Sequence, residues 1–315
     1  MPLCIEQLRG GLVETVHPVS AALSDGERTV WSIGDDVGSF WRSGSKPMQL
    51  VSSLEALGDS DLPEEDLAIG AASHSGQPFH VARVQALLAR FGLDVSGLRC
   101  GAHWPVHEPS ARELSACTPL HSNCSGKHTF MLAAAAAQGW DPDYLPLAHP
   151  LQQRNHARIE EWCGTRAATA VDGCGVPTFF VPVRAMARAF ARLAHEMGDG
   201  TAASLSGAGR IGWAMYRHPQ LVSGEGRLDL AVTRGAAEPL TCKIGAEGLF
   251  CIALPTRRQG LVIKVATGNT DAVAVAVKAV LAEVTPGVLP AAGWPWETVA
   301  NVVGRPVGER RAVWS

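Results

Sequence analysis

Two stretches of period-two alternation, one near each end of the chain, bracket a long middle in which apolar residues recur at helical spacing. That change of period limits the folds open to the chain. Residues 12–22 and 29–34 read as strands joined at a Ser24-Asp25-Gly26 turn, a hairpin signal in which Pro18 predicts an edge or a bulge. Further strands are expected at 228–232, 240–245, 249–254 and 261–266. Helices are expected at 46–57, 62–69, 79–91, 129–137, 150–163, 181–197, 202–216 and 271–283, the first and third stopped by Gly58 and Gly92. The piece around Val302 and Val303 carries no assignment. The pattern predicts an α/β fold: an antiparallel sheet formed by N- and C-terminal strands and flanked by helices. No internal repeat or low-complexity linker divides the chain, so one domain over residues 1–315 is expected.

Composition excludes several functions. A net charge of -3 gives no basic field for nucleic acid or an anionic membrane. The first residues carry Glu6 early and lack a basic segment followed by an apolar one, so no signal peptide is expected. Apolar runs such as 130–137 and 272–277 fall well short of the roughly 18 residues needed to span a bilayer. A cytoplasmic protein follows. Its eight cysteines form no C-x-x-C pair and read as free thiols, most of them small buried hydrophobes.

Four small, polar, Gly-punctuated clusters stand out. Ser43 lies three residues before Lys46 at the opening of a helix, so both share one face, and a neutral lysine amine there can take the serine proton for acyl transfer. Ser73-His74-Ser75-Gly76 forms a loop between two helices, where Ser75 is a candidate either for catalysis or for capping the helix that follows. Asn123-Cys124-Ser125-Gly126-Lys127-His128 heads an Ala-rich helix, with Cys124 and Lys127 on its first turn, where a helix N-terminus lowers a thiol pKa. Asp172-Gly173-Cys174-Gly175 ends a short strand in a sharp turn that presents Cys174. Lys243 and Lys264 each interrupt an apolar strand and read most simply as surface-facing.

Taken in order, these clusters resemble the L-asparaginase II family, the rhizobial-type class with a serine β-lactamase and glutaminase-like fold. The resemblance implies hydrolysis of L-asparagine to aspartate and ammonia, with two Ser-Lys pairs: Ser43 with Lys46, and Ser75 with Lys243 of the Lys-Ile-Gly-Ala-Glu-Gly segment. It implies a zinc site on Cys124, Lys127 and Cys174, a substrate pocket lined by Arg42, Asn123 and Asp172, and a homodimer. Two sulfurs, a nitrogen and one open position make a reasonable zinc shell, provided the lysine gives up its proton. Here Ser122, Thr129-Phe130 and, in Lys264-Val265-Ala266-Thr267-Gly268, Thr267 replace residues usual in the family, a change that bears on pocket volume and on substrate choice. A penicillin-binding type of hydrolase shares Ser-x-x-Lys, but the chain has neither Ser-Asp-Asn nor Lys-Thr-Gly. The remaining alternatives are an amidase for another small amide and a non-catalytic amino-acid-binding relative.

Overall fold

The computed structural model describes residues 2–58, 61–201, 205–290 and 293–315. Its strands are β1 (Leu3–Arg9), β2 (Leu12–Ser24), β3 (Thr29–Ile33), β4 (Gly38–Phe40), β5 (Ala168–Val171), β6 (Pro177–Pro182), β7 (Thr241–Ile244), β8 (Leu249–Leu254), β9 (Gln259–Val265), β10 (Thr298–Ala300) and β11 (Pro306–Trp314). Its helices are α1 (Lys46–Ala56), α2 (Glu64–Gly70), α3 (Pro78–Arg90), α4 (Glu108–Arg112), α5 (Ser125–Gln138), α6 (Pro150–Cys163), α7 (Val183–Met197), α8 (Gly207–Arg217), α9 (Pro219–Val222), α10 (Leu228–Gly235) and α11 (Thr270–Val284).

Among the described residues, the main sheet runs β10-β11-β1-β2-β9-β8-β7, with β3 paired to β2. The two ends of the chain meet in it: Leu3 lies opposite Trp314 and Ile5 opposite Ala312, while Val19 lies opposite Val265. Alternation along the central strands sends side chains to two cores. Ala21, Ile252 and Ile263 pack with α11, whereas Ala22, Cys251 and Val262 pack with the helices of the middle of the chain. Lys243 pairs with Cys251 across the β7–β8 ladder. Paired residues share a face, so Lys243 points into the helical layer.

The expected sheet of N- and C-terminal strands flanked by helices is the one observed, with a second small sheet β4-β6-β5 and further local differences. Residues 228–232 belong to helix α10, because Leu228 and Val232, four apart, both enter the α11-side core, and a short apolar run does not declare its period. Pro18 marks a local edge of β2 and not a bulge. Its carbonyl accepts from Ala266 just past the end of β9, so its missing N–H faces the side where β2 has run out of partner and costs no ladder bond. Strands β1 and β11 carry no sequence assignment; Val302 and Val303 sit in the turn before β11, held by the Asn301 side chain. The first residues of the helix expected at 202–216 lie outside the described residues, and the observed helix begins at Gly207.

One glycine sets how closely the helical layer packs. A Cβ on Gly126, in the first turn of α5, would lie 2.1 Å from the carbonyl oxygen of Ile69 at the end of α2. Gly126→Ala is therefore expected to lower unfolding free energy by about 1–3 kcal/mol, since backbone must move to admit the methyl group. Urea denaturation measures it, and an unchanged midpoint would show that the two helices can part at no cost.

Candidate active site

Five elements converge on the helical side of the sheet. A single helical turn over Arg42–Ser45 leads into α1, whose second residue, Pro47, suits a helix start. Arg42 itself has φ 49°, the left-handed conformation that side chains other than glycine adopt at a cost. Its guanidinium Nε donates to Asp172 Oδ1 at 2.5 Å, and the same oxygen accepts from Gly173 N at 2.7 Å. The β5–β6 turn is thereby tied to the start of α1, with Arg42, Ser43, Asn123 and Asp172 all partly open to solvent.

Lys46 is 1% exposed. Its Nζ donates to Ala72 O at 2.6 Å and to Asn123 O at 3.2 Å, and lies 2.9 Å from Ser73 Oγ. Burial holds its pKa below the usual lysine range, partly offset by Cys124. The hydrogen-bond arrangement has a chemical consequence. Carbonyls only accept, so a neutral amine keeps two N–H groups on Ala72 and Asn123 and turns its lone pair to Ser73, whose hydroxyl alone of the three can donate.

The serine bonded to Lys46 is thus Ser73, a residue of the Ser73-His74-Ser75-Gly76 cluster that sequence reasoning passed over for Ser75. Among the described residues no hydrogen bond joins Lys46 to Ser43 or Lys243 to Ser75. Ser75 is buried, and its hydroxyl donates to Gln77 Oε1 at 3.0 Å. It does not cap α3; Gln77 does, in a reciprocal box with His80. Gly224, at φ +112°, presses on this pair, since a Cβ there would lie 2.0 Å from Ser75 Oγ. Lys243 is fully buried rather than surface-facing, and its Nζ donates to Ile244 O at 2.8 Å. Burial brings its pKa down from 10.5 to about 7, against the pull of Asp229 and with a further push from Lys46. Lys264 does reach the surface, where it caps the carbonyls of Glu247 and Val265.

Behind Lys46 sits a sulfur cluster. Cys124 and Cys174 hydrogen-bond to each other, and Lys127 Nζ donates to Cys174 Sγ at 3.2 Å. The bond from Cys174, followed by the charges of Lys46 and Lys127, holds the Cys124 thiol far below its ordinary pKa despite burial. The same bond, together with burial, pushes Cys174 up, and Cys124 Sγ also lies 3.1 Å from Asn123 Oδ1. Burial opposes the charge of Lys127, but Cys174 and then Cys124 outweigh it and raise its pKa. The expected zinc donors Cys124, Lys127 and Cys174 therefore lie together, buried, with a thiolate already favoured. Two sulfurs and an amine fit the soft donor preference of zinc once the lysine is deprotonated. No group of three or more His, Cys, Asp or Glu suited to a metal occurs among the described residues; this set has only two such members.

Two further residues support the site without a sequence signal beyond their type. His103 Nδ1 faces Trp104 O at 2.8 Å and so carries the proton, leaving Nε2 to accept the Asn123 backbone N–H at 2.9 Å. His74, fully buried and held neutral by burial, accepts from Gly76 N and donates to Ser125 Oγ at 2.8 Å, which donates on to Leu120 O. These bonds lock the serine loop to the head of α5.

With this geometry in place, comparison with known proteins decides the family. The description "L-asparaginase II" matches residues 5–312. The chain belongs to the L-asparaginase II family. It is accordingly an amidohydrolase, an enzyme acting on a small molecule. Among solved structures, a beta-lactamase from Mycobacterium bovis has 16% identity and a TM-score of 0.47, with 84% of this chain and 94% of that one covered. The native form of Mglu likewise has 16% identity and a TM-score of 0.47, covering 84% of this chain. The chain spans 63% of the length of Mglu. No curated protein sequence matches it. No helix among the described residues is long and apolar enough to cross a membrane.

Proposed function

We propose that this family member hydrolyses L-asparagine to L-aspartate and ammonia through an acyl-enzyme. The observation that carries the reading is Lys46, buried and depressed in pKa, held on Ala72, Ser73 and Asn123 three residues after a Ser43 that opens to solvent. Ser43 is the nucleophile, because it is the one of the three serines that opens to solvent and lies beside Arg42 and Asp172. Ser73 is a positioning residue that holds Lys46 in register. Arg42 takes the substrate carboxylate, and Asp172 with Asn123 takes its ammonium group, charge matched to charge.

In the first half-reaction Ser43 Oγ bonds to the side-chain amide carbon and its proton passes to Lys46, three residues on, as the amine turns its lone pair from Ser73 to Ser43. The C–N bond then breaks and ammonia leaves with that proton. In the second half-reaction water gives a proton to Lys46 and attacks the ester, releasing aspartate and returning Ser43 to its hydroxyl form. Lys243, neutral above about pH 7, serves Ser75 as a second base on the far side of the loop. Zinc fits Cys124, Lys127 and Cys174, where it would supply a fixed positive charge beside the pocket. A homodimer and a cytoplasmic location complete the proposal.

The test is ammonia release from L-asparagine, with L-glutamine alongside, followed by rapid quench and mapping of the aspartyl adduct. The adduct is expected on Ser43, and Ser43→Ala is expected to lower turnover by about 10³-fold or more. Ser73→Ala is expected to keep the adduct while lowering kcat by about 10- to 100-fold and moving the acid limb of its pH profile. An adduct on Ser73 or Ser75, or no ammonia from asparagine by folded protein, would overturn the assignment.

A further inference from the structure

Away from the catalytic side chains, the outer face of α10 forms one wall of a cavity of 570 Å³. Arg227, Leu230, Ala231 and Arg234 line that wall, at the spacing that brings residues onto one helix face, and Pro295 and Trp296 line the wall across from it. Leu230 is buried beneath the groove, Arg227 and Trp296 are half-buried, and Arg234 is exposed. Neither guanidinium has a hydrogen-bond or ion-pair partner among the described residues. This sets them apart from Arg83, Arg90, Arg158, Arg192 and Arg310, each paired with a carboxylate.

The volume is that of a small-molecule site, about 300–1,000 Å³. The lining combines an apolar floor, an aromatic wall and two unneutralised planar cations. A guanidinium offers paired donors suited to a phosphate or carboxylate. Two of them in one groove suit a dianion better than a single carboxylate, and an indole opposite suits a flat ring by stacking. Solvated surface arginines would need neither the apolar floor nor the facing aromatic.

From these observations we infer that the α10 groove binds a phosphorylated planar ring, a ligand of the nucleoside monophosphate type. The lining of the groove includes none of the Ser-Lys side chains, although the charge of Arg227 reaches Lys243. The ring lies against Trp296 and the phosphate between Arg227 and Arg234. The occupant follows from charge and shape and does not depend on which amide the enzyme hydrolyses.

Isothermal titration of the full chain with three probes tests this. AMP carries ring and phosphate, adenosine the ring alone, and inorganic phosphate the charge alone. AMP is expected to bind at millimolar dissociation constant or tighter, with each fragment weaker by about tenfold or more. The Arg227→Ala/Arg234→Ala double variant is expected to weaken AMP by at least about tenfold, and Trp296→Leu is expected to weaken AMP while sparing phosphate. Circular dichroism and the urea denaturation midpoint report whether the variants are folded. No AMP binding in the millimolar range, equal binding of AMP and phosphate, or AMP binding unchanged in the folded double variant would each overturn the inference.

Discussion

Lys46→Met is expected to lower kcat/KM for L-asparagine by about 10³-fold or more while leaving a folded protein, because it removes the base but keeps the volume of the side chain. The fold survives through an offset of two effects. Methionine leaves the carbonyls of Ala72 and Asn123 without the donors they have at 2.6 and 3.2 Å, a loss of about 1–3 kcal/mol for each unsatisfied group. It also removes an amine that burial disfavours in its charged form, as its lowered pKa records. Lys46→Arg separates chemistry from hydrogen bonding. Arginine can still donate to both carbonyls, yet it stays protonated at any working pH and has no lone pair to offer Ser73. Both variants should therefore be inactive, and Lys46→Arg should also lose the acylated species in a quench experiment. Turnover within tenfold of the parent in either variant would remove Lys46 from the mechanism, wherever the adduct maps.

How far the sequence declared this site depends on the kind of residue. The head of α5 was legible, because Cys124 and Lys127 sit three apart on one turn and an Ala-rich run can hardly be anything but helix. The nearness of Cys174 to Lys127 was not, since it comes from a turn 47 residues away. It enters only through the family pattern. The pairing of bases with serines was legible only as proximity along the chain. Ser-x-x-Lys spacing makes Ser43 the neighbour of Lys46, but a buried ammonium needs three acceptors, and Ala72, Ser73 and Asn123 supply them from two loops that no local rule brings to α1. Lys243 shows the opposite failure. On an edge strand an interrupting lysine ordinarily faces water, and its inward direction follows only from the ladder partner Cys251 and the helices stacked on that face. Helix α10 was misread for a related reason. Leu228, Leu230 and Val232 satisfy a strand period, but Asp229 between them is also buried, accepting from Ile244 N at 2.7 Å, and burial on every side erases the alternation on which a period reading rests.

Lys243 gives the second large effect, visible in stability as well as in rate. The folded protein brings its pKa from 10.5 to about 7, chiefly by burial. Below pH 7 the lysine is protonated in both the folded and the unfolded chain, and folding bears the full penalty of burying the charge. Between about 7 and 10.5 the unfolded chain holds a proton that the folded one has released. The unfolded state then binds more protons, so stability rises with pH across that window. The full shift corresponds to roughly 5 kcal/mol, an upper bound on the gain. Lys243→Met has no such group. The difference in unfolding free energy between parent and variant is thus expected to change by a few kcal/mol in favour of the parent from pH 6.5 to 10. Urea titrations at pH steps measure it, and a difference constant across the window would mean that Lys243 keeps an ordinary pKa. Activity gives an independent readout. If the neutral amine is the second base, kcat/KM of the parent rises through about pH 7 on its acid limb. Lys243→Gln, which retains a donor for Ile244 O but has no basic nitrogen, should lose that limb along with most of its turnover. A Lys243→Gln variant that turns over with the parental pH profile would assign the limb to Lys46 instead, and would leave Lys243 as a buried cost with no catalytic return.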